Sequence, residues 1–308
     1  MPAASVVRVA VCQATPCLFD SSRGVAVVEE WIHRAAAAGA QLVLLPEAFL
    51  PGYPRGIGFG MVVGSRSEEG RRLYRELWEA SVDVPGPETA RIASTCRECG
   101  IHVAVGVTER SDVGATLYCT LLLFGPDGAL IWRHRKIKPT GSERLIWGEG
   151  DGSEIQVVAT DLGQIGGLIC WENYMPLPRV ALYEGGVEIY LAPTADSRDT
   201  WQNTLGHIAC EGRCFVLGCN QFVPRDAYPS HWRDLPEVQA LPEIACRGGS
   251  AIYSPLGQTM IAPVYDREEL LIADLNRDAL VEARMDFDAV GHYSRPDLFR
   301  LHRSPPRY

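Results

Sequence analysis

Three segments of this chain that read as strands stop on a residue that can do chemistry. Gln41-Leu42-Val43-Leu44-Leu45-Pro46 ends at Glu47, the stretch 129–135 ends at Lys136, and Gly166-Gly167-Leu168-Ile169 ends at Cys170. A thiol at the tip of a strand can act as a nucleophile, with backbone N–H groups of the next element aimed at the anion it creates. A nearby carboxylate can move protons, and an ammonium can stabilise charge as it develops. In sheets of this kind ligands bind beyond the carboxyl ends of the strands, so three such ends brought together make a site.

Each residue alone is a weak signal. Free Cys often only fills space in a core, and a Glu after a strand more often serves a helix N-terminus. The lysines say more. Lysine occurs only at 136 and 138, while arginine supplies every other basic side chain. A guanidinium cannot replace a compact or tunable ammonium, so at least one of Lys136 and Lys138 is present for its chemistry. Glu172 is an alternative acid, but adjacent side chains on an extended segment point apart, which favours a structural role.

Hydrophobic periodicity supplies the scaffold. Residues 7–13 and 42–45 read as buried strands flanking an Ala-rich helix over 23–38 closed by Gly39, a β-α-β opening. A helix over 88–98 leads into a strand over 101–107. Strands 116–124 and 129–135 pair across Gly125-Pro126-Asp127-Gly128. Strands 155–159 and 164–169 flank Thr160-Asp161-Leu162-Gly163, and 251–253 returns across Ser254-Pro255-Leu256-Gly257. Helices over 177–183 and 200–213 alternate with strands 187–191 and 215–220. Strands and helices mixed in this way imply two sheets packed face to face with helices outside.

Composition narrows the function class. The 308 residues carry a net charge of −9 and a pI near 5.3, which argues against a nucleic-acid or anionic-membrane surface. No linker, repeat or low-complexity run divides the chain, so a single domain over 1–308 is expected. Met1-Pro2-Ala3-Ala4-Ser5-Val6-Val7-Arg8 lacks a signal-peptide pattern, and no apolar stretch approaches a membrane span. A soluble cytoplasmic enzyme is expected, with its ten cysteines reduced. Cys96-Arg97-Glu98-Cys99 is one CxxC inside a helical pattern without paired His, so neither a redox pair nor a metal site is expected. Gly56-Ile57-Gly58-Phe59-Gly60 fails the phosphate-loop template and reads as lining of a pocket mouth. No G-x-S-x-G occurs to support a serine hydrolase.

The residues resemble the nitrilase superfamily, in its true nitrilase branch. The signature segments are Leu45-Pro46-Glu47-Ala48-Phe49 with Pro51-Gly52-Tyr53-Pro54, then His134-Arg135-Lys136-Ile137-Lys138-Pro139-Thr140 leading to Glu143-Arg144, then Cys170-Trp171-Glu172-Asn173-Tyr174-Met175-Pro176-Leu177. Further matches at Ala209–Val216, Asn220-Gln221-Phe222, Arg247-Gly248-Gly249-Ser250 and Gly291–Asp297 carry the resemblance nearly end to end.

The resemblance implies a four-layer α-β-β-α sandwich that dimerises by helix packing, and a Glu-Lys-Cys triad at Glu47, Lys136 and Cys170. It places Glu143 near the site as a positioning carboxylate. Tyr53 and Trp171 are the expected substrate contacts, with the Trp171 N–H as an anion donor. The implied reaction converts an organic nitrile to a carboxylic acid and ammonia without a cofactor. Cys170 would attack as a thiolate in the field of Lys136, and Glu47 would shuttle protons with a raised or coupled pKa. Rival readings are cyanide hydrolysis, amide hydrolysis, and a non-catalytic assembly protein on the same fold. Pocket width is expected to depend on loops 53–64 and 222–243. Because the chain stops soon after Arg295-Pro296-Asp297, where many relatives continue into a long tail, a homodimer or modest multiple of dimers is expected rather than long filaments.

Overall fold

A computed structural model describes residues 5–303, and the reading of Met1–Ala4 lies outside them. In chain order the elements are β1 (Val6–Gln13), α1 (Ser21–Ala37), β2 (Leu42–Leu44), a small hairpin β3 (Met61–Val62) and β4 (Ser65–Arg66), α2 (Glu68–Ala80), α3 (Pro87–Cys99), β5 (His102–Arg110), β6 (Leu117–Phe124) and β7 (Leu130–Arg135). They continue with β8 (Val158–Thr160), β9 (Gly163–Gly167), α4 (Pro176–Glu184), β10 (Ile189–Thr194), α5 (Thr200–Gly212), β11 (Phe215–Asn220), β12 (Phe222–Pro224), α6 (Ser230–Arg233), α7 (Pro236–Gln239), β13 (Ile244–Tyr253), β14 (Thr259–Tyr265), β15 (Glu269–Asn276) and α8 (Asp278–Arg284).

Two sheets result. One has the order β15-β1-β2-β5-β6-β7 and the other β12-β13-β11-β10-β9-β8, with β14 on β13. Side chains alternate across each strand, so each sheet has two apolar faces to bury. On β1 and β2 one alternate set, Val7, Val9, Val11, Leu42 and Leu44, packs between the sheets with Ile165, Leu191, Leu217 and Ile252. The other set, Ala10, Cys12 and Val43, packs against Val25, Val28 and Ile32 of α1 and Ile92 of α3. Leu182 of α4 and Leu205 and Ile208 of α5 cover the outer face of the second sheet through Tyr190, Ala192 and Val216. Three apolar layers therefore separate four structural layers, α-β-β-α.

Strands β1, β2 and β5 run parallel, as do β9, β10 and β11. Strand β7 is antiparallel to β6, which is antiparallel to β5, so β7 points the same way as β2. The carboxyl ends of β2 and β7 thus open on one side of the first sheet, and those of β9, β10 and β11 on one side of the second. Cross-sheet hydrogen bonds tie these ends together: Cys219 Sγ reaches the carbonyls of Cys12 and Leu44, both at 3.3 Å, and Gln221 Nε2 donates to the Glu47 carbonyl at 3.0 Å.

The structure moves several expected boundaries. The strand expected at 187–191 runs on to Thr194, through Pro193. Strand β9 pairs only with residues 189–191, so Pro193 lies where β10 has a ladder neighbour on one side alone, which tolerates a residue without an N–H. Strand β13 begins at Ile244 rather than 251, because Gly248 and Gly249, at φ of 90° and 112°, break the sequence pattern without ending the pairing. Helix α2 was not expected. Its buried stripe is only Gly70, Leu73 and Leu77, too narrow to stand out from its charged surroundings, although Ser67 caps it through the Gly70 N–H at 2.9 Å.

One glycine bears directly on the site. Beyond β2 the chain from Pro46 to Leu50 bulges over β5, with Gly106 N donating to Pro46 O and Leu50 N donating to Gly106 O, both at 3.2 Å. A Cβ on Gly106 would meet Pro46 O at 2.3 Å, Ala48 N at 2.6 Å and Glu47 Cα at 2.7 Å. Gly106→Ala is therefore expected to cost about 1–3 kcal/mol of stability through overpacking. It should also lower activity well beyond what the folded fraction explains. Urea denaturation with ammonia-release kinetics checks both, and a stable, fully active variant would refute the close approach.

Candidate active site

The expected residues come together from both sheets. Lys136, the first residue after β7, is fully buried, and its Nζ lies 2.7 Å from Glu47 Oε1 and 2.7 Å from Glu143 Oε2. Glu47 is equally buried, and its Oε1 also lies 3.6 Å from Cys119 Sγ. Glu143 comes from a short 3-10 segment, Gly141–Leu145, where its Oε2 accepts the Thr140 N–H at 2.6 Å. Tyr53 donates its hydroxyl to Glu143 Oε1 at 2.7 Å. The two lysines have separated: Lys138 pairs at the surface with Glu149.

Cys170 does not sit on the strand tip. Strand β9 ends at Gly167, and Cys170 opens a 3-10 segment, Cys170–Tyr174, with φ of 51°. A non-glycine residue in the left-handed region stores about 1–3 kcal/mol and persists only where its surroundings over-determine it. Here Asn173 Nδ2 donates to the carbonyls of Leu168 at 2.9 Å and Cys170 at 2.8 Å, while Tyr190 OH donates to Asn173 Oδ1 at 2.7 Å. Glu172 is buried and accepts from three donors: the N–H groups of Ile169 at 2.7 Å and Ile137 at 2.6 Å, and His134 Nε2 at 3.0 Å. Its structural role agrees with the expectation, but the reason differs. The segment is a tight turn, and its carboxylate bridges the cysteine turn to the lysine segment of the other sheet. Those bonds, with the His134 charge, hold the Glu172 carboxyl below its ordinary range although burial opposes them.

The electrostatics follow from burying two carboxylates, one ammonium and one thiol together. Burial pushes the Glu47 carboxyl above its ordinary range, the Lys136 charge pulls it back, and the Glu143 charge adds to the rise. Burial opposes charge on Lys136 too, but Glu47, Cys170 and Glu143 outweigh it and hold its ammonium well above the usual value. For Cys170, burial and then the Glu47 charge raise the thiol far above its usual range, against Lys136 and Thr194. Lys136 does favour the anion, as expected of its field, but the low dielectric and the Glu47 charge oppose it more strongly, so the attacking thiolate has to be made by passing the thiol proton to Glu47. The hydrogen-bonding neighbour of the Cys170 sulfur is the Thr194 hydroxyl at 3.0 Å.

A cleft of about 470 Å³ opens on Cys170, lined among others by Tyr53, Arg55, Glu143, Trp171 and Arg198. A second recess of about 310 Å³, lined by Tyr53–Phe59 and Trp147, adjoins it through Tyr53, Arg55 and Glu143. Trp171 walls the cleft as expected, its Nε1 donating to Asp196 Oδ2 at 2.8 Å and its ring stacked under the Arg198 guanidinium at 4.7 Å. Of the two expected loops, 53–59 lines these recesses, whereas 222–243 supports it from behind: Tyr228 OH donates to Arg55 O at 2.8 Å and Leu241 packs on Gly56. Sequence reasoning missed Arg55, Cys119 and Thr194, which lack a signature because their roles come from where the sheets place them; Gln221 stood in a matched segment, Asn220-Gln221-Phe222, but without a role. Among the described residues no helix is long and apolar enough to cross a membrane.

Comparison with known proteins decides the family. Residues 8–285 match the carbon-nitrogen hydrolase family. A bifunctional nitrilase/nitrile hydratase of Lupinus angustifolius is 47% identical over 302 residues, covering 97% of this chain and 86% of that protein. This chain belongs to the carbon-nitrogen hydrolase family, in its nitrilase branch. An aliphatic nitrilase of Sinorhizobium fredii is 46% identical over 296 residues, covering 96% of this chain and 94% of its own. Among solved structures, a carbon-nitrogen hydrolase from Helicobacter pylori shares the fold with a TM-score of 0.74 at 18% identity, covering 96% of this chain and 97% of that one. An amidase from Nesterenkonia sp. does so at 0.67 and 22% identity, covering 91% and 94%. The protein is a hydrolase acting on carbon-nitrogen bonds.

The electrostatic reading yields a measurable consequence. The Glu47 carboxyl, followed by infrared titration against Glu47→Gln, is expected to protonate above the 4.5 of an ordinary glutamate. Glu143→Gln removes a like charge and leaves Lys136 to Glu47 alone, so the transition should move to lower pH. A transition that stays put or moves up would show that Glu143 does not act on Glu47.

Proposed function

We propose that this hydrolase converts organic nitriles to carboxylic acids and ammonia through covalent intermediates on Cys170. The observation that carries the reading is the Lys136 ammonium set 2.7 Å from both Glu47 and Glu143, with Cys170 lining one cleft with Glu143 and Tyr53. Nitrilase names among relatives nearly half identical to the chain support it.

The mechanism follows from the charges. Glu47, as carboxylate, takes the thiol proton while sulfur attacks the nitrile carbon, so no free thiolate has to persist in a site that disfavours it. Charge then develops on nitrogen, where Lys136 and the Trp171 N–H stabilise it. Glu47 returns the proton to nitrogen, giving the thioimidate, and next activates water. Expulsion of ammonia leaves a thioester, which a second water cleaves to the acid. Glu143, fixed by Tyr53 and Thr140, keeps the ammonium in place and raises Glu47 toward the pH at which it can both take and give a proton. Tyr53 and Trp171 border the substrate.

A second outcome has specific support in the bifunctional name of the Lupinus relative. The tetrahedral intermediate carries both nitrogen and sulfur, and if sulfur leaves first the product is the amide. The proton held by Glu47 decides between them.

We also infer that the chain forms one catalytic domain that pairs with a second copy. Val281 on α8 and Met285, Tyr293, Leu298 and Phe299 beyond it are exposed apolar side chains that such pairing would cover. All ten cysteines are free thiols, which suits a reducing cytoplasm.

Cys170→Ala is expected to abolish turnover of a nitrile panel assayed for ammonia and amide, with the fold intact by circular dichroism. Any retained hydrolysis removes the nucleophile. Lys136→Arg should lose about 10²-fold or more, because a planar guanidinium cannot sit between two carboxylates as a point charge does. Lys138→Arg should stay near wild type, and a reversed order would mean that the other lysine serves the chemistry.

A further inference from the structure

We propose that Thr194 is a further catalytic residue, its hydroxyl donating to the Cys170 sulfur whenever that sulfur carries negative charge. The proposal rests on Cys170 being the nucleophile. Thr194 is the last residue of β10, 1% exposed, and its Oγ1 lies 3.0 Å from Cys170 Sγ. It occupies the space vacated where β9 stops at Gly167 and the chain turns out to Cys170.

The direction of the bond follows from the hydroxyl's inventory of one proton and two lone pairs. Asp196 N–H donates to Oγ1 at 2.9 Å and occupies a lone pair. Asp196 is itself fixed, its carboxylate taking the Trp171 indole N–H at 2.8 Å and a bidentate Arg198. The Thr194 proton is therefore free to point at sulfur. Against the resting thiol the contact works in either direction, but once the thiol proton has left only the hydroxyl can donate, and the bond becomes charge-assisted.

Sulfur carries charge twice in the cycle. First the S–H proton passes to Glu47, the sulfur pair forms the S–C bond, and the displaced C–N π pair takes a proton at nitrogen from Glu47. Later water, losing its proton to Glu47, forms the O–C bond of the acid as the C–S bond breaks and its pair returns to sulfur, which Glu47 reprotonates. Thr194 stabilises sulfur at both moments, and least while it is bound as thioimidate or thioester. That need is acute here, since burial and the Glu47 charge both oppose the anion. In Leu191-Ala192-Pro193-Thr194-Ala195-Asp196 nothing marks the residue, and only its place beside the cysteine turn reveals it.

The test is the rate of Cys170 alkylation by iodoacetamide at one fixed pH, read by mass on the Cys170 peptide, beside steady-state nitrile turnover. Thr194→Val should lower the rate constant of Cys170 alkylation at one fixed pH about 10-fold and lower kcat about 10- to 100-fold, with KM changed little. Thr194→Ser, which keeps the hydroxyl, should stay within about threefold on the same scale. Thr194→Ala carries the same expectation as the valine should the latter pack badly. An unchanged alkylation rate in Thr194→Val, or a serine variant as impaired as the valine, overturns the role of Thr194. Full turnover after complete Cys170 alkylation would instead remove the nucleophile on which it rests.

Discussion

The arrangement depends on one buried ammonium. Moving a lysine out of water costs several kcal/mol unless partners replace its hydration, and removing one partner of a buried pair leaves a charge uncompensated. Lys136 meets this with two carboxylates rather than one. The second creates the chemistry, because two carboxylates around one ammonium leave a surplus negative charge that burial resists. The least costly relief is to raise the proton affinity of Glu47, the more deeply buried of the two. A constraint of ion burial thus produces a group suited to passing a proton to and fro.

The cluster must be assembled across two sheets, since Glu47 and Lys136 belong to one and Cys170 and Thr194 to the other. Apolar packing between sheets sets their distance, but it is not directional enough to fix side-chain atoms to tenths of an ångström. Directional bonds do that. Gln221 ties the second sheet to the backbone of Glu47, and Glu172 ties the cysteine turn to Ile137 and His134 on either side of Lys136. Glu172, adjacent to the reactive thiol region and fully ionised by its donors, acts through position alone. The left-handed Cys170 and the bulge over Gly106 are the strained places that these bonds maintain.

Much of this was legible in the residues. Continuous apolar runs marked the central strands, since β1 and β2 have two faces to bury and say so in their composition. The abrupt stops at Glu47, Lys136 and Cys170, and a chain that keeps lysine at two positions only, singled out the chemistry before any geometry. Those signals are local: a strand end, a turn, a residue type retained against the chain's habit.

What the tertiary structure decided is everything that depends on distance between segments remote in sequence. It separated Lys136 from Lys138 by burying one and leaving the other beside Glu149. It raised the proton affinity of the Cys170 thiol, which is set by burial and by carboxylates far along the chain. It drew β10 on to Thr194 beside the sulfur, past a proline that a sequence pattern treats as a stop, because a ladder neighbour is missing on one side there. Periodicity and turn chemistry act between neighbours in sequence, whereas desolvation and charge act between neighbours in space, so the residue types were readable in the chain and their protonation and alignment only in the folded protein.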